Sequence, residues 1–313
     1  MRPAGLLART AAMPGVAYLL AGLFVSFSVL DPSFMSVPNL LNIGIQSSTL
    51  LLLALPMTLI IMSEGLDLSM GAVLGLAGVV LAMRLASGSA VVTALVSAVT
   101  VGAAFGIANG LLIVALGIPP FVTTLGMLYI AQGIALVATD GRSIVGIGDA
   151  LPALYATRWL GLPFSIAVAA MTYAAFHLVL YHTRFGVYVF AIGGNRESLV
   201  LAGVRAPLYH VGIYAVGGVM AGLAALLFTA RTNAGHPTAA IGMEFDAIAA
   251  VIVGGTSFER GNGWLPGTLL GVLTVGVLKN GLNVMEVQNA LQVASIGLLV
   301  IVALLIDSIR GRG

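Results

Sequence analysis

A chain of 313 residues that is 59% hydrophobic and only 8% charged cannot clothe a water-soluble surface, which takes about 25% charged residues. Its net charge of +2 offers no basic face to a nucleic acid, and the absence of cysteine excludes disulfides and thiolate metal sites. The apolar runs are continuous, without the alternation of a membrane β-barrel strand, so the solvent they suit is lipid and the form they suit is the helix.

In chain order, Arg2 and Arg9 precede an apolar run from Pro14 to Leu30. Asp31-Pro32-Ser33-Phe34 follows, with no small-residue cleavage site, so the run is expected to be a first spanning helix behind a short segment 1–13. Further helices are predicted over 40–62, 71–85, 91–116, 121–138, 162–181, 208–230, 245–257, 265–282 and 289–307. The fold class is therefore an all-α polytopic transmembrane bundle of about ten helices, in a single domain 1–313, with the third and eighth helices short.

An even count puts both termini on one side. Arg2, Arg9, Arg184, Arg196, Arg205, Arg260, Arg310 and Arg312 would share that side, against Arg84, Arg142, Arg158, Arg231 and Lys279 on the other, which makes both termini cytoplasmic. Predicted helices two to five and seven to ten then have opposite topologies, as in transporters built from inverted repeats with the solute path between them. Residues 139–161 form the longest outside segment, a candidate docking surface, and 182–207 the longest inside one. The histidines His177, His182, His210 and His236 show no paired metal-ligand spacing.

Small residues recur at intervals of four: Gly71/Gly75, Gly102/Gly106/Gly110, Gly218/Gly222 and Gly263/Gly267/Gly271. Such series bring helix backbones close together and say little about cargo. Ser63-Glu64-Gly65-Leu66-Asp67-Leu68-Ser69 places two acids between apolar helices, where a charge is costly and marks either a function or a helix cap by Asp67 or Ser69. In Gly193-Gly194-Asn195-Arg196-Glu197, the glycine pair is expected to end one structure and Asn195 to cap a new helix of about two turns. Glu197 would lie in its first turn and Gly203 would stop it. So short a helix needs something to pack on, either its own bundle or a partner's cleft. Glu244 and Asp246, two apart on one helix, point to different faces; they suit a helix N-terminus and do not form a catalytic pair.

The one lysine, Lys279, is not preceded by the glycine loop of a nucleotide-binding G-x-x-x-x-G-K-[ST] motif. The chain is expected to hydrolyse no ATP and to bind no cofactor itself, so ATP-driven transport would need ATP on a partner subunit.

The stretch EGLDLSMGAVLGLAG resembles the G-I-D-L-S-V-G segment of the permease subunits of ribose-type ABC sugar importers. GGNRESLVLAGV is similar to their cytoplasmic G-G-N loop, and EFDAIAAVIVGGTSFERGNGWLPGTLLG to their E-L-D-A-I-A-A segment. NLLNIGIQSSTLLLLALPMTLII and LKNGLNV fit as well, so the resemblance runs from about Asn39 to Asp307. It implies a permease dimer, homo- or heteromeric, in a bacterial inner membrane, with two cytoplasmic ATP-binding subunits and a periplasmic solute-binding protein. The family's ATPase-coupling helix falls on Gly193, Gly194, Asn195, Glu197 and Gly203, with Arg196 inside it. Ser198 and Leu199 replace the usual small alanines, and Phe258-Glu259-Arg260 replaces a glycine-rich stretch.

The expected cargo is a monosaccharide such as ribose, xylose or galactose. Asp67, Ser69, Asn109 and Gln132 are the polar groups expected along its path. The competing readings are a related importer of branched-chain amino acids or nucleosides, an ion-coupled carrier that works alone, and a membrane scaffold without solute flux.

Overall fold

The computed structural model describes residues 15–257 and 262–310. Arg2, Arg9, Arg312 and the Phe258-Glu259-Arg260 stretch lie outside the described residues. Twelve α-helices are seen among the described residues: α1 Gly15–Leu30, α2 Val37–Met62, α3 Met70–Ala86, α4 Val91–Leu116, α5 Pro120–Thr139 and α6 Ala150–Tyr155, then α7 Phe164–His182, α8 Arg184–Leu201, α9 Ala206–Thr232, α10 Met243–Val253, α11 Leu265–Val284 and α12 Asn289–Arg310. Each of the ten expected spans overlaps one of these; α6 and the full length of α8 are additional. Six helices (α2, α4, α5, α7, α9 and α11) are long and apolar enough to cross a membrane on their own. α10, at 11 residues and about 17 Å, is too short for a hydrocarbon core of about 30 Å.

α3 lies in the core, buried along its length up to its last turn, where Met83, Arg84 and Ala86 are exposed. α4 and α9 pack backbone to backbone through the glycine series: a Cβ on Gly222 would stand 2.6 Å from the Val99 Cα, and one on Gly110 2.7 Å from the Val211 Cα. Gly102, Gly106 and Gly218 meet the facing backbone at still closer range. α10 and α11 pack in the same way at Gly254, Gly267 and Gly271. This is the small-residue packing the sequence pattern predicts.

The bundle has two recognisable ends. At one, the C-terminus of α2 meets the start of α11, where Met62 packs on Gly263 and the Tyr181 hydroxyl accepts the Leu265 N–H at 3.1 Å; α8 lies at this end. At the other, Asn39 and Asn280 exchange amide hydrogen bonds of 2.9 and 3.0 Å, and Phe27 covers Gly281. A two-residue antiparallel hairpin, β1 Arg158–Trp159 and β2 Leu162–Pro163, also sits here. Its tip, Leu160-Gly161, takes positive φ at both residues, as a tight mirror-image turn requires. The 3-10 turn Pro32–Met35 leads into α2 under Asp31, whose carboxyl is held below the usual carboxylate range by the Ser33 hydroxyl and N–H.

Two connections at this end bear on function. Ile144 and Gly235 exchange both backbone hydrogen bonds at 2.9 Å, and Ser143 Oγ lies 2.7 Å from His236 Nδ1. Beyond that bridge, the non-helical stretch 233–242 runs down the side of α3. Gly235 packs on Val79 and Ala82, the Pro237 carbonyl lies against Gly75, and the Ala240 carbonyl lies against Gly71.

Candidate functional site

Three of the four polar groups expected along the path meet. Asp67, in the link between α2 and α3, accepts the Ser69 N–H at 2.8 Å and the Ser69 hydroxyl at 2.6 Å on one oxygen. The Asn109 amide, from α4, donates to Ser69 Oγ at 2.9 Å and to the other Asp67 oxygen at 3.4 Å. All three are buried. Ser69 does not cap α3 with its side chain, correcting half of the capping expectation; its hydroxyl is committed to Asp67. The Leu66 carbonyl accepts the hydroxyls of Thr124, from α5, at 3.3 Å and Tyr214, from α9, at 3.4 Å. A bulky side chain at Gly65 would displace the Tyr214 hydroxyl. The link 63–69, between α2 and α3, is thus a polar knot that ties them to α4, α5 and α9. Gln132 stands apart, half-buried on α5 and two turns, about 12 Å, beyond Thr124.

The N-terminal ends of α3 and α10 meet beside this knot. Gly71 leaves room for Glu244, which has no exposed surface. One Glu244 oxygen accepts the Gly242 N–H at 2.9 Å, the helix-start interaction expected for it; the other has no hydrogen-bond partner among the described residues. Asp246 does something the sequence reading missed. It forms an ion pair with Lys279 of α11. The signal was present, since a lone lysine in an apolar helix needs a counter-charge.

At the other side of the knot, a cleft of about 360 Å³ opens between Ser63, Glu64, Ile113, Pro119, Ile192 and His210. Glu64 sits at its edge with φ +60, a backbone conformation unusual for a residue with a side chain.

α8 closes this end. It runs without a break from Arg184 to Leu201, so Gly193 and Gly194 lie inside the helix and Asn195, Arg196 and Glu197 in its later turns, correcting the expected new start at Asn195. Glycine weakens a helix by about 1 kcal/mol relative to alanine, and tertiary packing outweighs that here. Val189, Ile192 and Leu199 are buried, and Phe185 and Tyr188 meet the Tyr209 ring at 6.2 and 4.6 Å. Only Thr183 separates α7 from α8; Gly186 makes this tight reversal passable, because a Cβ there would overlap the Leu180 carbonyl. Gly203, at φ +75, ends the helix as expected, while Val200, Leu201 and Leu208 around it are exposed and apolar.

These features define a polytopic permease: broken helices meeting at a buried polar centre, with one amphipathic helix at the bundle's end. The family model described as "Branched-chain amino acid transport system / permease component" matches residues 39–304, and the chain belongs to that family. It is 37% identical over 287 residues to the ribose import permease of Bacillus subtilis, covering 91% of this chain and 89% of the relative. It is 34% identical to the D-allose transport system permease of Escherichia coli, over 95% of this chain and 92% of that one, and 30% identical to the L-arabinose permease of the same species, over 95% and 91%. No solved structure matches. The chain is a multi-pass inner-membrane permease of the ribose-type ABC sugar class.

Proposed function

We propose that this chain is the membrane-spanning subunit of an ATP-driven importer that passes a monosaccharide delivered by a periplasmic solute-binding protein. It pairs with a second permease subunit and takes its energy from two ATP-hydrolysing subunits in the cytoplasm. The observation that carries this reading is α8: one apolar face is buried against the bundle, while Val200, Leu201 and Leu208 present exposed apolar surface at its C-terminal end. Exposed apolar surface grouped around a helix end is a docking feature. The chain carries no phosphate-binding lysine loop of its own, so in an ATP-driven importer the energy enters through such a contact.

In this reading the α8 end is cytoplasmic, and Gly193, Gly194, Asn195, Arg196, Glu197 and Gly203 belong to the segment that engages the ATPase. The two halves α2–α5 and α9–α12 form an inverted repeat. The hairpin end receives the binding protein, with the fully exposed Leu160 at its tip. Movement of α8 shifts its buried face against the Ile192–His210 cleft, and the Asp67–Ser69–Asn109 knot above it re-forms with the path open to the other side. ATP and sugar must each favour one arrangement for the two to be coupled. The relatives named for ribose, allose and arabinose support an aldose as cargo.

The Asn195→Ala/Glu197→Ala variant, assembled with its ATPase and binding protein in liposomes, is expected to lose most sugar-stimulated ATP hydrolysis while inserting normally. Stimulation equal to wild type removes the docking role. A carrier that works alone is the second reading, favoured by two buried acids, Asp67 and Glu244, close to the bundle centre. Uphill uptake by the purified chain in vesicles without ATPase would establish it.

A further inference from the structure

The stretch 233–242 runs beside α3 from Ala82 to Gly71, a depth of about 16 Å, without forming a helix of its own. Non-helical backbone at membrane depth survives only where it is buried in protein or lines water, because lipid offers its N–H and C=O groups no partner. Gly235, Pro237 and Ala240 are buried, yet Thr238, Ala239 and Ile241 are exposed. The next turn begins α10, where Phe245 is 56% exposed and the buried Asp246 holds Lys279. The Lys279 side chain is 37% exposed although it lies about 8 Å inside the end of α11. Asn283, four residues on and so on the same helix face, is exposed as well. Charged and amide groups on a membrane helix face protein or water.

We infer that Thr238, Ile241, Phe245, the Asp246–Lys279 pair and Asn283 form one wall of the outward half of the solute passage, a wetted surface that touches the cargo. Its chemistry suits a neutral polyhydroxylated molecule. The ammonium and the amide donate to hydroxyls, the amide oxygen accepts from them, and the buried Asp246 carboxylate behind Lys279 cancels its charge, so the pair does not select an ion. The exposed Phe245 ring offers an apolar face to the C–H side of a sugar ring. The naming of a sugar rests on the proposed function; the wetting does not.

The chain has no cysteine, so a single introduced thiol reports its surroundings directly. Thr238→Cys and Asn283→Cys are made alongside Ile107→Cys and Ile130→Cys, two exposed positions in the middle of α4 and α5. Each is assembled with cysteine-free ATPase and binding protein and exposed to a membrane-impermeant maleimide on the side away from α8. Labelling at 238 and 283 is expected to be at least tenfold faster than at 107 and 130, and to slow when ribose, allose or arabinose is present with the binding protein. Equal rates at all four positions overturn the wetted wall. Fast labelling that none of the three sugars slows overturns the cargo contact. Transport of the same sugars by the cysteine-free parent is measured separately, so a failure of the importer reading is distinguished from a failure of this one.

Discussion

Gly222→Val in α9 is expected to abolish recovery of the folded permease from membranes, measured as the monodisperse fraction after detergent extraction and mild heating. The first added carbon would stand 2.6 Å from the Val99 Cα, 2.8 Å from the Ala98 carbonyl oxygen and 3.1 Å from its carbon. All three are backbone atoms, so no rotamer change relieves the overlap. α4 and α9 would have to separate, and the approach at Gly218 and Gly106 along the same seam would open with them. Overpacking of an ordinary core costs about 1–3 kcal/mol, where side chains can yield. Here they cannot, and the loss should reach or exceed the top of that range. Gly126→Val on α5 and Gly133→Val, where an added Cβ meets nothing within 4 Å, are the controls and should behave as wild type. A Gly222→Val protein as heat-stable as the controls would show that this seam does not hold the bundle together.

Asp67→Leu is expected to cost about 3 kcal/mol of stability, because it strips the acceptor from the buried Ser69 N–H and the Ser69 hydroxyl, each worth about 1–3 kcal/mol when orphaned. Asp67→Asn keeps one acceptor oxygen for Ser69 and should cost much less, about 1 kcal/mol. The comparison is read from thermal unfolding of the intact complex in one detergent. If the two variants unfold at the same temperature, the knot is held by packing and not by the hydrogen bonds described. Transport should fall further than stability for both, since the knot joins the link 63–69 to α4, α5 and α9 and its re-formation is part of the proposed cycle.

The helical spans were legible because lipid imposes a length and a composition that hydropathy reads directly. Val91–Leu116 was placed to the residue and most other boundaries within about three. The helix seams were legible for a similar reason, since Gly102, Gly106, Gly110, Gly218 and Gly222 announce close backbones by spacing alone. Asp67, Ser69 and Asn109 could each be singled out as polar groups in apolar surroundings. Their meeting could not be, because 40 residues of chain separate Asn109 from Ser69 and only tertiary packing joins them. The Asp246–Lys279 pair, 33 residues apart, was hidden in the same way. α8 was misread because Gly193-Gly194 and Asn195 are local stop and start signals, and the buried face of Val189, Ile192 and Leu199 overrides them. The descent of 233–242 was hidden too: Gly235 and Pro237 say where a helix stops, not where the chain goes next.

The Ile144–Gly235 bridge makes the outer loop and the descending stretch a single lever. Two backbone hydrogen bonds tie the loop to the top of a strand of chain whose lower end holds Glu244 against Gly71. Below the bridge the stretch turns, the Ile241 and Met243 N–H groups donating to the Thr238 and Ala240 carbonyls, so the surface at Val145 has a continuous hydrogen-bonded route to the buried junction of α3 and α10. In the proposed import cycle, a binding protein seated on this end would act through that route on the bundle's centre before any sugar has entered it.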